Sequence, residues 1–585
     1  MNFRTSAVFL GLLASAAAGE IPQAFLDQNC IRCHGGEKVK GKVDFTKADL
    51  GANSELWEKV ADVLEHEEMP PEDEKQPTAE ERTAFFDWYR AEFIDIEARA
   101  GTFRTRRLSA EEYRNTLRSL VGFDLEVAII KAEQTVVEKS LVMKLLPTDP
   151  PGASGFVNDT HGAPISTVLW DQYSFLAEAA LSRFLDELPA DAAAEEVVRD
   201  FQARAFRRPL AESPIEVADL EAELKTILMS PQFLYRGFLV EGEPGQQLPV
   251  DDFELAERLS YFLWADMPDA ELSAVAADGT LTEPEIFAAQ IDRMLVSPRA
   301  RSLAESFGVQ WLGLDDIDDF TSDPIANFAL KSEPIDFLNY LFTENRPVIE
   351  LIDSRTTFAN DSAFGRYPKE RKNLKKYVKP RGIERMIFPN QQITLTNTPE
   401  YGGILTTPGV LVMNRGPIIR GTWILRKILG EDLGEPPADV PPIQAVTQKG
   451  LSFREKFELH RSNPSCALCH DKIDPLGFSL QAYDGKAAFK PSPKIDTAGK
   501  LPSGEAFADF AELKSILLTS QREAIIRNAV EQTLAYALCR KLEPFDRHAV
   551  DAIAQKLNET DGTWRDLFFE IANSLPFREA YFPAS

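Results

Sequence analysis

The 585-residue sequence has little cysteine: its five residues are too few for a disulfide scaffold. Tyrosine and tryptophan are also scarce, at 12 and 7 against 38 phenylalanines. Basic charge is short: 64 Lys and Arg face 92 Asp and Glu, a formal net charge of −28. Nucleic-acid binding needs a net basic face, so that class is excluded. The acidic balance favours solubility and a docking partner with a basic surface. Beyond the N-terminal leader no stretch approaches 18 apolar residues, so no membrane-spanning helix is expected. No catalytic carboxylate pair and no sugar-binding aromatic array stands out. What remains is ample: 44% hydrophobic residues can bury a core, and the length suggests roughly three to five domains.

The chain opens MNFRTSAVFLGLLASAAAGE. Arg4 precedes an apolar run from Ala7 to Leu13, and Ala16-Ala17-Ala18 fits a small-residue cleavage site. This layout predicts a signal peptide over residues 1–18. A short N-terminal core helix is the competing reading. The leader implies an exported, periplasmic protein.

Four of the five cysteines form two pairs, Cys30-Ile-Arg-Cys33-His34 and Cys466-Ala-Leu-Cys469-His470. Two C-x-x-C-H motifs predict two covalently attached c-type haems. Thiols three positions apart on a helical turn can each form a thioether to a haem vinyl, and the adjacent His turns its ring to the iron. A thioredoxin-like pair or half a zinc site is the alternative for either motif taken alone. Cys539 stands in the helical stretch AVEQTLAYALCRKLE and reads as a buried inert thiol.

A small cytochrome needs a distal ligand. Met69 follows His34 by 35 residues, in Glu67-Glu68-Met69-Pro70-Pro71, a poor setting for a core residue. His66 competes for the role. Thr78 to Glu81 reads as a capping box. The helix it opens carries Phe85, Phe86, Trp88 and Tyr89, which can pack on the haem-bearing helix. The pattern C-x-x-C-H-G-G over Cys30 to Gly36, followed by Met69-Pro70-Pro71, resembles the planctomycete-type cytochrome c domain.

Further along, the chain reads as helical. Ser109 and Glu112 fit another capping box. FELAERLSYFLW over 253–264 places Leu255, Leu259, Phe262 and Leu263 on one face. Ser230-Pro231 and Ser297-Pro298 read as N-cap and first-turn proline, starting helices at Gln232 and Arg299. The second of these should bury Leu303, Phe307 and Trp311. Stretches such as RRLSAEEYRNTLRSLVG, FQARAFRRPL, ILMSPQFLYR, AERLSYFLWADMPDAEL and SPRARSLAESFGVQWLGL are similar to the uncharacterised domains that follow this cytochrome in large exported proteins. Residues 125–195 depart from the family's arrangement and take no role from it. Acidic residues 314–319 lack the EF-hand spacing and read as a solvated loop. RYPKERKNLKKYVKPR over 366–381 holds eight basic residues and reads as a solvated loop, with docking of an acidic partner or anionic polymer as the alternative.

The second motif follows His460-Arg461-Ser462-Asn463-Pro464 and precedes Asp474-Pro475-Leu476-Gly477-Phe478. This resembles the haem-bearing uncharacterised domain of the same family. No Met follows His470, so a downstream Met ligand is excluded. His460, Met413, His548 and an open iron are the alternatives, with His460 first. Beyond 505 the chain is helical again, with starts at Ser520 to Glu523 and Thr563 to Asp566.

The expectation is therefore a mainly α protein. It comprises a signal peptide (1–18), a class I-like cytochrome c domain (19–98), helical domains (99–245 and 246–365), a basic linker (366–400), a second haem domain (401–504) and a C-terminal helical bundle (505–585). Its ligand set is Cys30, Cys33, Cys466 and Cys469 for covalent attachment, with His34, Met69, His470 and His460 at the irons. The functional expectation is an exported dihaem cytochrome carrying electrons between a periplasmic dehydrogenase and a respiratory acceptor. A peroxidase or oxygenase with an open second iron is the first alternative. A redox-linked protein that binds a polymer or a partner is the second.

Overall fold

In the computed structural model the described residues are 23–582, without 36–38, 40–42, 47–53, 66–68, 72–73, 95–97, 132–134, 210–215, 361–366, 368–369, 371–373, 376–387, 397, 399, 432, 434–451 and 462–463. Side chains at 54–55, 128–139, 318–319, 324, 453, 460, 464–465 and 468 are likewise outside the description. The signal-peptide reading, His66 and most of the basic stretch 366–381 therefore lie outside the described residues.

The chain is mainly helical, as its periodicity predicts, and divides into two compact units. One comprises the described part of Met1–Ala98 together with Glu543–His548. The other holds nearly all the remainder.

In the first unit, helix Gln23–Asn29 leads through Cys30 into the single turn Ile31–His34. Helix Ser54–Glu65 and helix Ala79–Tyr89 complete the frame. The second of these starts at the predicted capping box: Thr78 accepts from the Glu81 N–H, and Glu81 accepts from the Thr78 N–H. Phe25, Trp57, Phe85 and Tyr89 are buried between the helices, with Phe25 and Phe85 ring centroids 5.1 Å apart. Each such ring contributes about 1.5–3 kcal/mol by leaving water.

The second unit holds two hydrophobic cores. The smaller packs helix Ala110–Val121, capped by Ser109 and Glu112 as predicted, against helices Thr167–Glu187, Ala194–Ala205 and Leu220–Leu228. The larger runs from Phe156 to Ala580 in sequence, so the segments read as separate helical, haem and C-terminal domains share one interior. Helix Asp252–Trp264 is central to it, with Leu255, Leu259, Phe262 and Leu263 all buried. Leu303, Phe307 and Trp311 are buried as expected, but on a π-helical stretch, Leu303–Gly308, running into helix Val309–Leu312. The helix after Ser230 is a single turn, Pro231–Leu234, without a side-chain cap.

Three details differ from the sequence reading. Residues within 126–140 form an antiparallel hairpin, Glu126–Lys131 with Thr135–Ser140, because Val, Ile and Thr suit a pleated surface. A short antiparallel pair joins Gln247–Pro249 to Glu579–Tyr581, tying the C-terminal strand to the middle of the chain. Cys539 ends helix Arg522–Leu538 instead of lying within it, at φ +53°. Among the described residues no helix is long and apolar enough to cross a membrane.

Candidate haem sites

At the first motif, the Cys30 N–H donates to Leu26 O (2.8 Å), and the His34 N–H to Cys30 O (2.9 Å). Cys30 and His34 therefore sit one helical turn apart on one face. The Phe45 N–H donates to His34 O (2.8 Å), and the Phe45 ring meets the imidazole edge-on at 5.8 Å. Both contacts fix the histidine. Burial pushes the Cys30 thiol up to about 11, the mark of an apolar setting.

Cys30, Cys33, His34 and Met69 line one cavity of about 320 Å³, walled by apolar side chains that include Val43, Phe45, Leu56 and Val60. That size lies within the span of about 300–1,000 Å³ usual for cofactor sites. Two thiols, an imidazole and a thioether around an apolar hollow are the donor set a c-type haem requires. Met69 is held by its loop: its N–H donates to Val63 O (3.1 Å) at the end of helix Ser54–Glu65. Gln76 Nε2 donates to Pro70 O and Pro71 O, both at 2.9 Å. Arg82 Nη1 donates to Leu64 O (2.5 Å) and Nη2 to Gln76 Oε1 (3.4 Å). A latch thus runs from helix Ala79–Tyr89 through Gln76 to the methionine loop. Arg32 and Glu74 pair at 2.5 Å on the cavity wall.

At the second motif, Cys466 to His470 occupy the first two turns of the longer helix Pro464–Ser479. Cys466 is buried and Cys469 half-buried against the large core. His470 Nδ1 lies 2.8 Å from Asp474 Oδ1, one turn on. Asp474 is 2% exposed, and Arg461 Nε stands 3.5 Å from its other oxygen. With Nδ1 engaged by a carboxylate, a metal held by this histidine would be taken by Nε2. This donor set also suits a c-type haem. Phe457 packs 6.1 Å from both the His470 and Phe478 rings, and Arg454 lies over Phe478 at 4.5 Å.

The helix is seated by close approach. A methyl group at Gly477 would collide with Pro417 O, and one at Gly421 with Ile473 O, so helix Pro417–Trp423 crosses it backbone against backbone. Only glycine fits either position.

The distal candidates fall differently. His460 lies in helix Phe453–Arg461, which packs on the motif helix, but its side chain is outside the described residues. Met413 ends helix Pro408–Met413 and packs against the large core. His548 is exposed near the start of helix Arg547–Thr560. Three arginines of the same stretch, Arg415, Arg420 and Arg461, could serve an open iron only if their guanidinium groups were unengaged. Arg420 is buried and donates to the carbonyls of Leu411, Asn414, Leu480 and Tyr483, and burial lowers it to about 10. Arg461 pairs with Asp471 and Asp474, and Arg415 lies over Phe320 at 4.7 Å.

Sequence reasoning missed the roles of Gln76, Arg82 and Asp474. For Asp474 a signal existed: His470 and Asp474 stand four residues apart on one helix, the spacing at which side chains meet.

Residues 30–73 match the family described as Planctomycete cytochrome C. Four further matches are to proteins of unknown function: DUF1587 over 106–186, DUF1592 over 250–367, DUF1588 over 401–492 and DUF1585 over 503–577. The DUF1588 segment contains the second C-x-x-C-H. The DUF1587 match covers most of the stretch 125–195 that sequence reading set apart from the family. No curated protein and no solved structure matches the chain. The cytochrome c match implies haem, and this set of segments in this order makes the chain a member of the planctomycete-type multi-domain cytochrome c family.

Proposed function

We propose that this protein is an exported dihaem cytochrome c that carries electrons between a periplasmic dehydrogenase and a respiratory acceptor. The observation that carries the reading is the first cavity, where Cys30, Cys33, His34 and Met69 face one apolar hollow. Cys30 and Cys33 would hold the haem covalently, His34 would be its proximal ligand and Met69 its distal one. At the second site Cys466 and Cys469 would attach a haem and His470 would ligate it, with His460 as distal ligand and Met413 as its alternative. A bound haem supplies one-electron chemistry, with the axial ligands setting its potential. A thioether favours a high potential, whereas an imidazole held by a carboxylate is a stronger donor and favours a low one. Unlike sites would give electrons a direction. The leader-like N-terminus and covalent attachment both support export.

A second reading is peroxidase or oxygenase chemistry at the second site. The Asp474–His470 contact favours it, since a more basic proximal imidazole pushes electron density toward the iron. Arg420 is buried and spends four hydrogen bonds on carbonyls, which builds it into the fold and not into a distal pocket.

Electron paramagnetic resonance on the oxidised, haem-matured protein, with a haem count, tests both readings. Two haems per chain and two low-spin signals are expected. A high-spin signal would transfer the conclusion to the second reading. A count of one, with unmodified Cys466 and Cys469, would reject the dihaem assignment.

A further inference from the structure

A cavity of about 80 Å³ in the large unit is lined by Arg104, Arg106, Arg236, Arg258, Arg540 and His161. In a chain of net charge −28 such a gathering of cations needs an explanation. The strand pair Arg106–Arg107 with Tyr235–Arg236 places Arg106 opposite Arg236. Helix Asp252–Trp264 supplies Glu254 and Arg258, and the turn after helix Arg522–Leu538 supplies Arg540. Residues from three of the matched segments, 106–186, 250–367 and 503–577, thus meet at one hollow.

Beneath it lies a buried ionic network. Arg106 holds Glu112 through two bonds of 2.7 and 2.6 Å. Arg236 and Arg207 share Glu257 at 3.1 and 3.2 Å, and Arg258 holds Glu254 Oε1 at 2.8 Å. Four arginines share three glutamates, so one positive charge is uncompensated before Arg104 and Arg540 are added. Glu579 also lines the hollow, and its carboxylate accepts from Gln247 Nε2 at 2.6 Å.

Donors and an acceptor are left over on the walls. Arg236 uses Nε on Glu257 and Nη1 on Cys539 Sγ, and Arg258 uses Nε on Glu254 and Nη1 on the Phe577 and Glu579 carbonyls. Among the described residues Nη2 of each makes no such bond. Two buried wall atoms have no hydrogen-bond partner among the described residues, His161 Nδ1 and Glu254 Oε2. Glu254 is 4% exposed, so its second oxygen meets only what enters the hollow. An orphaned buried acceptor costs about 1–3 kcal/mol, and a ligand that donates to it removes that cost.

We propose that this cavity binds inorganic phosphate. Its anionic oxygens would accept from the Nη2 groups of Arg236 and Arg258 and from Arg104, and its P–OH would donate to Glu254 Oε2. A single water needs roughly 10–15 Å³ by the same measure, so the hollow has room for one tetrahedral oxyanion. Charge alone would admit sulfate equally, but sulfate is fully deprotonated at neutral pH and has no proton for Glu254. The carboxylate therefore selects the protonated oxyanion.

Equilibrium dialysis of the full-length protein with radiolabelled inorganic phosphate, with sulfate as competitor, tests this. Saturable binding of one phosphate per chain is expected, with sulfate competing at least about tenfold less well. Arg104→Gln, at the exposed rim and outside the buried network, should weaken phosphate about tenfold. Glu254→Gln should bring sulfate within about twofold of phosphate. Circular dichroism checks that this buried variant folds; if it does not, the wild-type competition and Arg104→Gln decide the matter. Absence of saturable phosphate binding, or equal competition by sulfate in the wild type, would overturn the proposal.

Discussion

At the scale of single residues, the second site turns on Asp474. A metal-bound histidine is oriented by whatever accepts its other ring proton, and a carboxylate does this more strongly than a neutral acceptor. Asp474 stands 2.8 Å from His470 Nδ1 and is almost wholly buried, so no water competes for the contact. Asp474→Asn keeps the shape but removes the negative charge. The imidazole becomes a weaker donor, which favours reduced over oxidised iron. In a spectroelectrochemical titration of the proposed dihaem protein the midpoint of the second haem should rise, while that of the first stays in place. A shift of both haems, or of neither, would show that Asp474 does not tune the second site. The residue was visible in the sequence only as part of a family pattern. Its task is legible in the i, i+4 spacing once the motif is known to lie on a helix that continues beyond His470.

At the scale of elements, local signals read well and distant ones did not. The capping boxes at Thr78 and Ser109 and the helix start at Thr563 were visible because both partners lie within four residues. The hairpin within 126–140 was missed because a helical context on both sides masked a run of β-branched residues. The Met69 loop shows the same division. Its prolines and its methionine are plain in the sequence, but the latch is not, since Arg82 reaches back 18 residues to Leu64 O. The latch has a functional consequence. Proline loops are stiff, but the proposed ligation also asks for contacts outside the loop to keep the sulfur on the cavity. Gln76→Ala removes the bonds to both proline carbonyls, and Arg82→Ala removes the support of Gln76. Each variant should weaken the sulfur-to-iron charge-transfer band of the oxidised first haem and lower the temperature at which that band is lost. Haem content should remain at the wild-type level, because the cysteines are untouched. An unchanged band in both variants would mean that the loop holds Met69 unaided.

At the scale of the whole molecule, periodicity and the lack of long apolar runs set expectations that agree with the fold: the chain is mainly helical, and none of its described helices is long and apolar enough to cross a membrane. What composition hid is how the large unit uses its charges. Ion pairs such as Arg207 with Glu257 join residues 50 apart, and no periodicity announces them. Burial pushes the Glu112 carboxyl up, but Arg106, with help from Arg236, pulls it down further, to below the ordinary glutamate range. A carboxylate depressed in the fold favours folding when ionised. Its contribution is present in full above the unfolded glutamate value of about 4.3 and is lost as pH falls through the folded value. Removing one partner of a buried pair typically costs about 3–5 kcal/mol, because the other charge stays behind unpaired. Glu112→Gln should therefore be strongly destabilising at about pH 7, read as a fall in the denaturant midpoint of the large unit. As pH falls below about 4.3 and on through the lowered folded value, the gap between variant and wild type should narrow and then close, since protonation does to Glu112 what the substitution has already done. A gap that stays constant across this range would show that Glu112 contributes shape and hydrogen bonding, and that its charge is not what binds Arg106 into the fold.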